Sequence, residues 1–243
     1  MRMLVFADRT TKEIVRDPLS VFLGLVFPIV LLLLLSVINR SIPVDLFNIA
    51  ALTPGIAVFG LSFMALFTAQ ILSKDRESSF LTRLFTTPMT SKDYIIGYGL
   101  PLLVMSILQG IVCYIVAVFI GLSISVSIIA AIALLIPTSL IFIGIGLLCG
   151  TLLSEKAAVG VCGALLTNLS AWLSGVWFDL DLVGGLFKDI AYTLPFVHAV
   201  DMGKAALAGE YGGIFPHIWW VLGYSIVLSV LAIIVFKKKM QAD

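Results

Sequence analysis

The sequence predicts an all-α integral membrane protein of six transmembrane helices, both termini cytoplasmic, and three observations carry that reading. Of 243 residues, 60% are hydrophobic and 12% charged, where a soluble domain is about a quarter charged. The mean hydropathy is +1.15. Charges are gathered rather than scattered: neither Leu46 to Ser73 nor Tyr94 to Ser154 contains Asp, Glu, Lys or Arg. A charge at the bilayer centre costs about 2.5–3.5 kcal/mol and about 20 apolar residues cross the hydrocarbon, so stretches of this kind are spans. The length suits a single membrane domain, 1–243, with short connections.

Residues 1–17 carry Arg9, Lys12, Glu13 and Arg16 at spacings of three and four, with Leu4, Ala7, Ile14 and Val15 towards the other side. That pattern is an interfacial amphipathic helix, and Pro18 marks the turn into the bilayer. A first span follows at 19–39; it is too long for a signal-peptide core and no small-x-small cleavage site follows it, so it is read as retained. The second span is 48–72, and a charged island occupies 74–93. The charge-free block after it is twice what one helix needs and breaks only at Gly121-Leu-Ser-Ile-Ser-Val-Ser, giving spans at 94–121 and 125–152. Ser154-Glu155-Lys156 turns the chain into a fifth span at 157–178. Residues 179–216 are too apolar for a solvated loop; Gly184-Gly185 and Pro195 divide them into two short helices that re-enter the outer leaflet. Trp219 and Trp220 anchor the last span, 217–236, at the outer interface.

Placing both ends inside leaves only Arg40, Lys188 and Lys204 of the basic residues outside, which satisfies the positive-inside rule. Cys113, Cys149 and Cys162 all fall in apolar stretches without C-x-x-C spacing, as packing residues do. Gly146 with Gly150, and Gly160 with Ala164, form small-x-x-x-small pairs suited to close helix packing.

Nothing in the chain supplies its own energy. There is no G-x-x-x-x-G-K-[ST], since Gly203-Lys204 is followed by Ala205, and no H-E-x-x-H or G-x-S-x-G. His198, Asp201 and Lys204 share one face of an outer helix at spacing three, which would allow a metal or proton site, but one His and one Asp are too few ligands for a closed site and the three read as a surface face. The spans contain no ionisable residue of the kind proton-coupled carriers use; Gln70, Gln109, Thr167 and Asn168 are their strongest polar groups. Work must therefore enter from a partner, and the island is the receiver.

The island, Asp75-Arg-Glu-Ser-Ser-Phe-Leu-Thr-Arg-Leu-Phe-Thr-Thr-Pro88, resembles the cytoplasmic coupling loop of type-2 ABC exporter permeases. Asp75, Arg76, Glu77, Leu81, Leu84, Thr87 and Pro88 match that pattern, whereas Ser79 and Phe80 stand where Gly-Thr is usual and Thr82 where an acidic residue is common. The first helix ending in Asp17-Pro18, the broken outer segment, and Leu194-Pro-Phe-Val-His-Ala-Val-Asp-Met-Gly-Lys204 also resemble the family.

The resemblance implies a non-catalytic permease of the cell inner or plasma membrane that pairs with a second copy of itself, surrounded by lipid and unconnected with nucleic acid. Two cytoplasmic ATPase subunits would bind the ATP and magnesium, with no cofactor or metal on this chain. ATPase coupling would fall to Asp75, Arg76, Glu77, Phe80, Leu81, Arg83, Leu84, Phe85 and Pro88, with Glu155 and Lys156 as a second contact. The alternative for the island is an ordinary solvated loop. Phe59, Phe63 and Phe67 recur every four residues, and since spans two and five line the dimer interface in this family, they would face Thr167, Asn168 and Trp172 across a lipophilic pathway. The alternative for that stripe is a lipid-facing or helix-packing surface. The implied cargo is a hydrophobic or amphipathic drug, antibiotic or lipid-like compound moving outwards, as in multidrug efflux. The rival reading is a self-contained secondary carrier or channel, which would transport without an ATPase; an embedded enzyme or scaffold is disfavoured by the lack of paired ionisable residues.

Overall fold

The computed structural model describes residues 2–41, 48–78, 80–81 and 89–242. Among them the regular elements are all helices. In chain order these are α1 (Arg2–Arg16), α2 (Pro18–Ser41), α3 (Ile49–Glu77), α4 (Ser91–Ile120), α5 (Ser127–Leu152) and α6 (Glu155–Leu173). There follow α7 (Leu180–Val183), α8 (Gly185–Thr193), α9 (Pro195–Ala208) and α10 (Tyr211–Ala242). Six of them, α2 to α6 and α10, are long and apolar enough to cross a membrane.

Local chemistry sets the helix starts. The Asp17 carboxylate accepts from the Leu19 N–H and the Ser20 hydroxyl, with Pro18 in the first turn, so α2 begins directly after the amphipathic α1. Thr90 and Asp93 form a reciprocal capping box at the head of α4. Both α2 and α6 contain a widened π turn, at Phe22–Val26 and Gly160–Leu166. In α6 the turn lets the Thr167 hydroxyl reach the Cys162 carbonyl, 3.0 Å away and five residues back.

α3 is the hub of the bundle: from Leu52 to Ser73 every residue except Gln70 is buried. α5 lies against it through the predicted glycine pair. A Cβ on Gly146 would sit 2.5 Å from the Ala65 carbonyl oxygen, and one on Gly150 would sit 2.9 Å from that of Ala69. Backbones in such contact gain dispersion energy that larger side chains would forbid, which is what joins helices in lipid. The second pair behaves differently, since Gly160 has nothing near it and Ala164 is exposed.

Phe6 of α1 packs edge-on against Tyr94 and Tyr98 at 5.7 and 4.8 Å, and Tyr94 meets Phe236 at 5.9 Å. Both ends of the chain therefore share one end of the bundle with the close of α3 and the start of α4. The opposite end carries the 121–126 turn and α7 to α9.

Several boundaries differ from expectation. α3 runs on through Lys74–Glu77, four residues into the segment read as loop, and α4 already starts at Ser91. α6 stops at Leu173, short of the expected 178, and α10 starts at Tyr211 rather than 217. Two breaks make three pieces, so 179–208 folds as three short helices instead of two. Gly184, with φ of +60°, separates α7 from α8, and extended Leu194 separates α8 from α9. α9 is largely buried, its Gly203 lying against Pro54 of α3.

Candidate functional site

Because α3 stays helical to Glu77, three consecutive charged residues leave it at successive rotations of about 100° and reach three different neighbours. Asp75, 3% exposed, turns towards α1 and α4. Both terminal nitrogens of Arg9 donate to its carboxylate, the longer contact at 2.7 Å, and the Tyr98 hydroxyl donates to it at 2.7 Å. Such a bidentate, charge-assisted pair fixes orientation as well as distance. Burial would lower the Arg9 pKa, but the hydrogen bond to Asp75 and the charges of Asp75 and Glu13 outweigh it and raise it.

Arg76 turns to α5 and donates to the Thr151 and Leu153 carbonyls at its C-terminal end. Those carbonyls have no intrahelical partner, and a cation suits the negative end of the helix dipole. Glu77 turns to α6 and accepts from the Glu155 N–H at 2.9 Å. This is the mirror case, an anion on unpaired N–H groups at a helix start. Three side chains thus fasten one helix end to four elements.

The fastening extends along the surface. Glu13 bridges Arg9 at 2.9 Å and Lys74 at 3.2 Å, and the Arg9 guanidinium lies over the Phe80 ring, 4.5 Å from its centre. Leu81 is 3% exposed. Of the residues expected to couple, Asp75, Arg76 and Glu77 are therefore held by internal partners, and Phe80 and Leu81 pack next to them. Glu155 supplies the backbone N–H for Glu77, and Lys156 is exposed beside it. Arg83, Leu84, Phe85 and Pro88 lie outside the described residues.

The expected pathway residues do not assemble into one lining. Phe59, Phe63 and Phe67 do share a face of α3, but all three are buried within the chain. Phe63 packs edge-on against Phe27 of α2 at 5.6 Å, Phe59 against Trp177 at 5.8 Å, and Phe67 lies beside Gly24. Here the helix-packing alternative describes their contacts. Thr167 is buried, whereas Asn168 and Trp172 are exposed on α6 along with Leu165 and Leu169.

Sequence reasoning missed Arg9 and Tyr98. The available signal was slight: a basic residue on the polar face of α1, and a hydroxylated ring one turn into a charge-free span. It also took His198 for surface, yet that residue is 5% exposed. Its Nδ1 lies 2.8 Å from His217 Nδ1, its Nε2 lies 2.9 Å from the Tyr192 carbonyl, and its ring stacks on Trp220. Among the described residues no group of three or more His, Cys, Asp or Glu is placed to hold a metal ion, and the three thiols are free.

A family model described as ABC-2 type transporter matches residues 2–207. No curated protein matches the chain.

Proposed function

The chain belongs to the ABC-2 type transporter family and is a membrane permease component that associates with an ABC ATPase; from that premise we propose that it exports a hydrophobic or amphipathic compound. The work comes from two cytoplasmic ATPase copies that bind ATP and magnesium and dock beneath a homodimer of this chain. Both termini then face the cytoplasm, where the positive-inside rule puts the basic end of the bundle.

The observation that supports this reading best is the three-way fastening at the end of α3. A push on the segment just beyond Glu77 cannot be absorbed by that helix alone. Asp75 passes it to α1 and α4, Arg76 to α5, and Glu77 to α6. The subunit then moves as a near-rigid body, as alternating access requires. In this scheme Asp75, Arg76 and Glu77 are positioning residues. Buried Leu81 is a positioning residue as well, and Phe80, Arg83, Leu84, Phe85 and Pro88, with Glu155 and Lys156 alongside, form the surface that meets the ATPase. Cargo passes between the two copies along exposed Asn168 and Trp172 with Thr167 behind them, and the Phe59, Phe63 and Phe67 rings brace the wall from within.

The test is reconstitution of the permease with its ATPase in proteoliposomes. Leu84→Ala with Phe85→Ala is expected to abolish stimulation of ATP hydrolysis and outward transport while leaving the permease inserted. Transport by the permease alone, or full stimulation in the double variant, overturns the proposal.

A further inference from the structure

A groove of about 240 Å³ opens where α4, α5 and α10 meet, towards the end of the bundle where α3 is fastened, but it is lined by none of the fastening residues. Its floor is α5, with Ile143 and Leu147 buried beneath it. One wall is Ile96, Gly99 and Leu103 of α4, and the other is Ser229 and Ile233 of α10. Gly99 keeps it open, because a Cβ there would have only the Ile143 methyl group near it, at 3.5 Å.

Each wall continues into a lysine. Lys92, Ile96, Gly99 and Leu103 follow one another at helical spacings of four, three and four, so Lys92 stands one turn beyond the groove on the same face of α4. Lys237, Ile233 and Ser229 are spaced by four along α10 and do the same from the other side. The contact between the Tyr94 and Phe236 rings, 5.9 Å apart, brings those two helix ends together. Both lysines are exposed, and neither has an ion-pair partner among the described residues. An apolar slot ending in two cations that no carboxylate among the described residues neutralises matches one ligand chemistry, an acyl chain joined to a phosphate.

We propose that this groove is a binding site for an anionic phospholipid of the cytoplasmic leaflet, with an acyl chain between α4 and α10 and its phosphate between Lys92 and Lys237. Basic pockets between transmembrane helices at the cytoplasmic interface hold anionic headgroups through this combination of charge and apolar contact. The site goes beyond the export reading and rests on it only for the leaflet it faces.

Native mass spectrometry of the purified full-length chain, titrated with dioleoylphosphatidylglycerol or dioleoylphosphatidylcholine, tests it. The wild type is expected to prefer the anionic lipid by about tenfold. Lys92→Gln with Lys237→Gln brings that preference close to one and leaves phosphatidylcholine binding as it was. Gly99→Leu, which projects into the slot, weakens binding of both lipids. A control with two charges removed elsewhere on the same end, Lys12→Gln with Arg16→Gln, keeps the wild-type preference. Equal binding of the two lipids by the wild type overturns the proposal. So does an unchanged preference in the Lys92/Lys237 variant, or an equal loss in the control, which would mean diffuse attraction rather than a site.

Discussion

Asp75→Asn is the most direct probe of the fastening. The substitution keeps the size of the side chain but removes its charge, and it sets an amide N–H₂ against the Arg9 guanidinium. Removing one partner of a fully buried pair costs about 3–5 kcal/mol. Arg9 is 35% exposed and retains Glu13 at 2.9 Å, so water and a second carboxylate recover part of the loss. About 2 kcal/mol remains, weakening the docking of α1 roughly 30-fold. Hydrogen exchange on the protein in nanodiscs reads this directly, since amides in α1 exchange through undocking. Exchange between Phe6 and Lys12 should accelerate by that factor, and α5 should be unaffected. Arg9→Gln should have the same effect, and the two substitutions together little more than either alone. Unchanged α1 exchange in the Asp75 variant, or full additivity of the pair, would refute the assignment of Asp75 as the anchor of α1.

Three further outcomes are expected. Gly146→Leu places a side chain where even a Cβ lies 2.5 Å from the Ala65 oxygen, so α3 and α5 must separate; thermal unfolding in detergent should show a loss of about 1–3 kcal/mol or more. Burial lowers the His198 pKa below 6.5, aided by the nearby His217 and opposed by the Tyr192 carbonyl and Asp201. The unfolded imidazole takes a proton first, so the stability of the α9–α10 contact is full above about pH 6.5 and is lost as pH falls below it. Burial raises the Asp201 pKa and works in the opposite direction, by relieving a cost as pH falls. Emission from Trp220, stacked on His198 at 5.1 Å, should report the transition, and His198→Gln should flatten it. Asn168→Leu should change the range or rate of cargo transport across a panel of amphipathic compounds; an identical profile would remove Asn168 from the pathway.

How much of this was legible in the sequence depends on which physics decides each feature. The bilayer dictates the spans, and the charge-free blocks made all six readable. It does not dictate where a helix stops. Asp75, Arg76 and Glu77 looked like the start of a loop because hydropathy marks the edge of the hydrocarbon, while hydrogen bonding carries α3 another turn past it. The Gly146–Gly150 pair was readable because close packing in lipid admits few alternatives. The phenylalanine stripe was visible as a period of four, but a period says nothing about what lies opposite, and here it is Phe27 and Trp177. The Arg9–Asp75 and His198–His217 pairs join different helices, and no local pattern links their members.

The order of synthesis gives the fastening a further meaning. Arg9 is made 66 residues before Asp75, Tyr98 comes 23 after it, and the carbonyl groups that receive Arg76 arrive 75 and 77 residues later. A ribosome that has delivered only three spans leaves Arg76 without its acceptors, and Glu77 waits for the first turn of α6. The knot closes only when the fifth span begins, so a nascent or truncated polypeptide leaves Arg76 and Glu77 without the partners that hold them in the finished subunit.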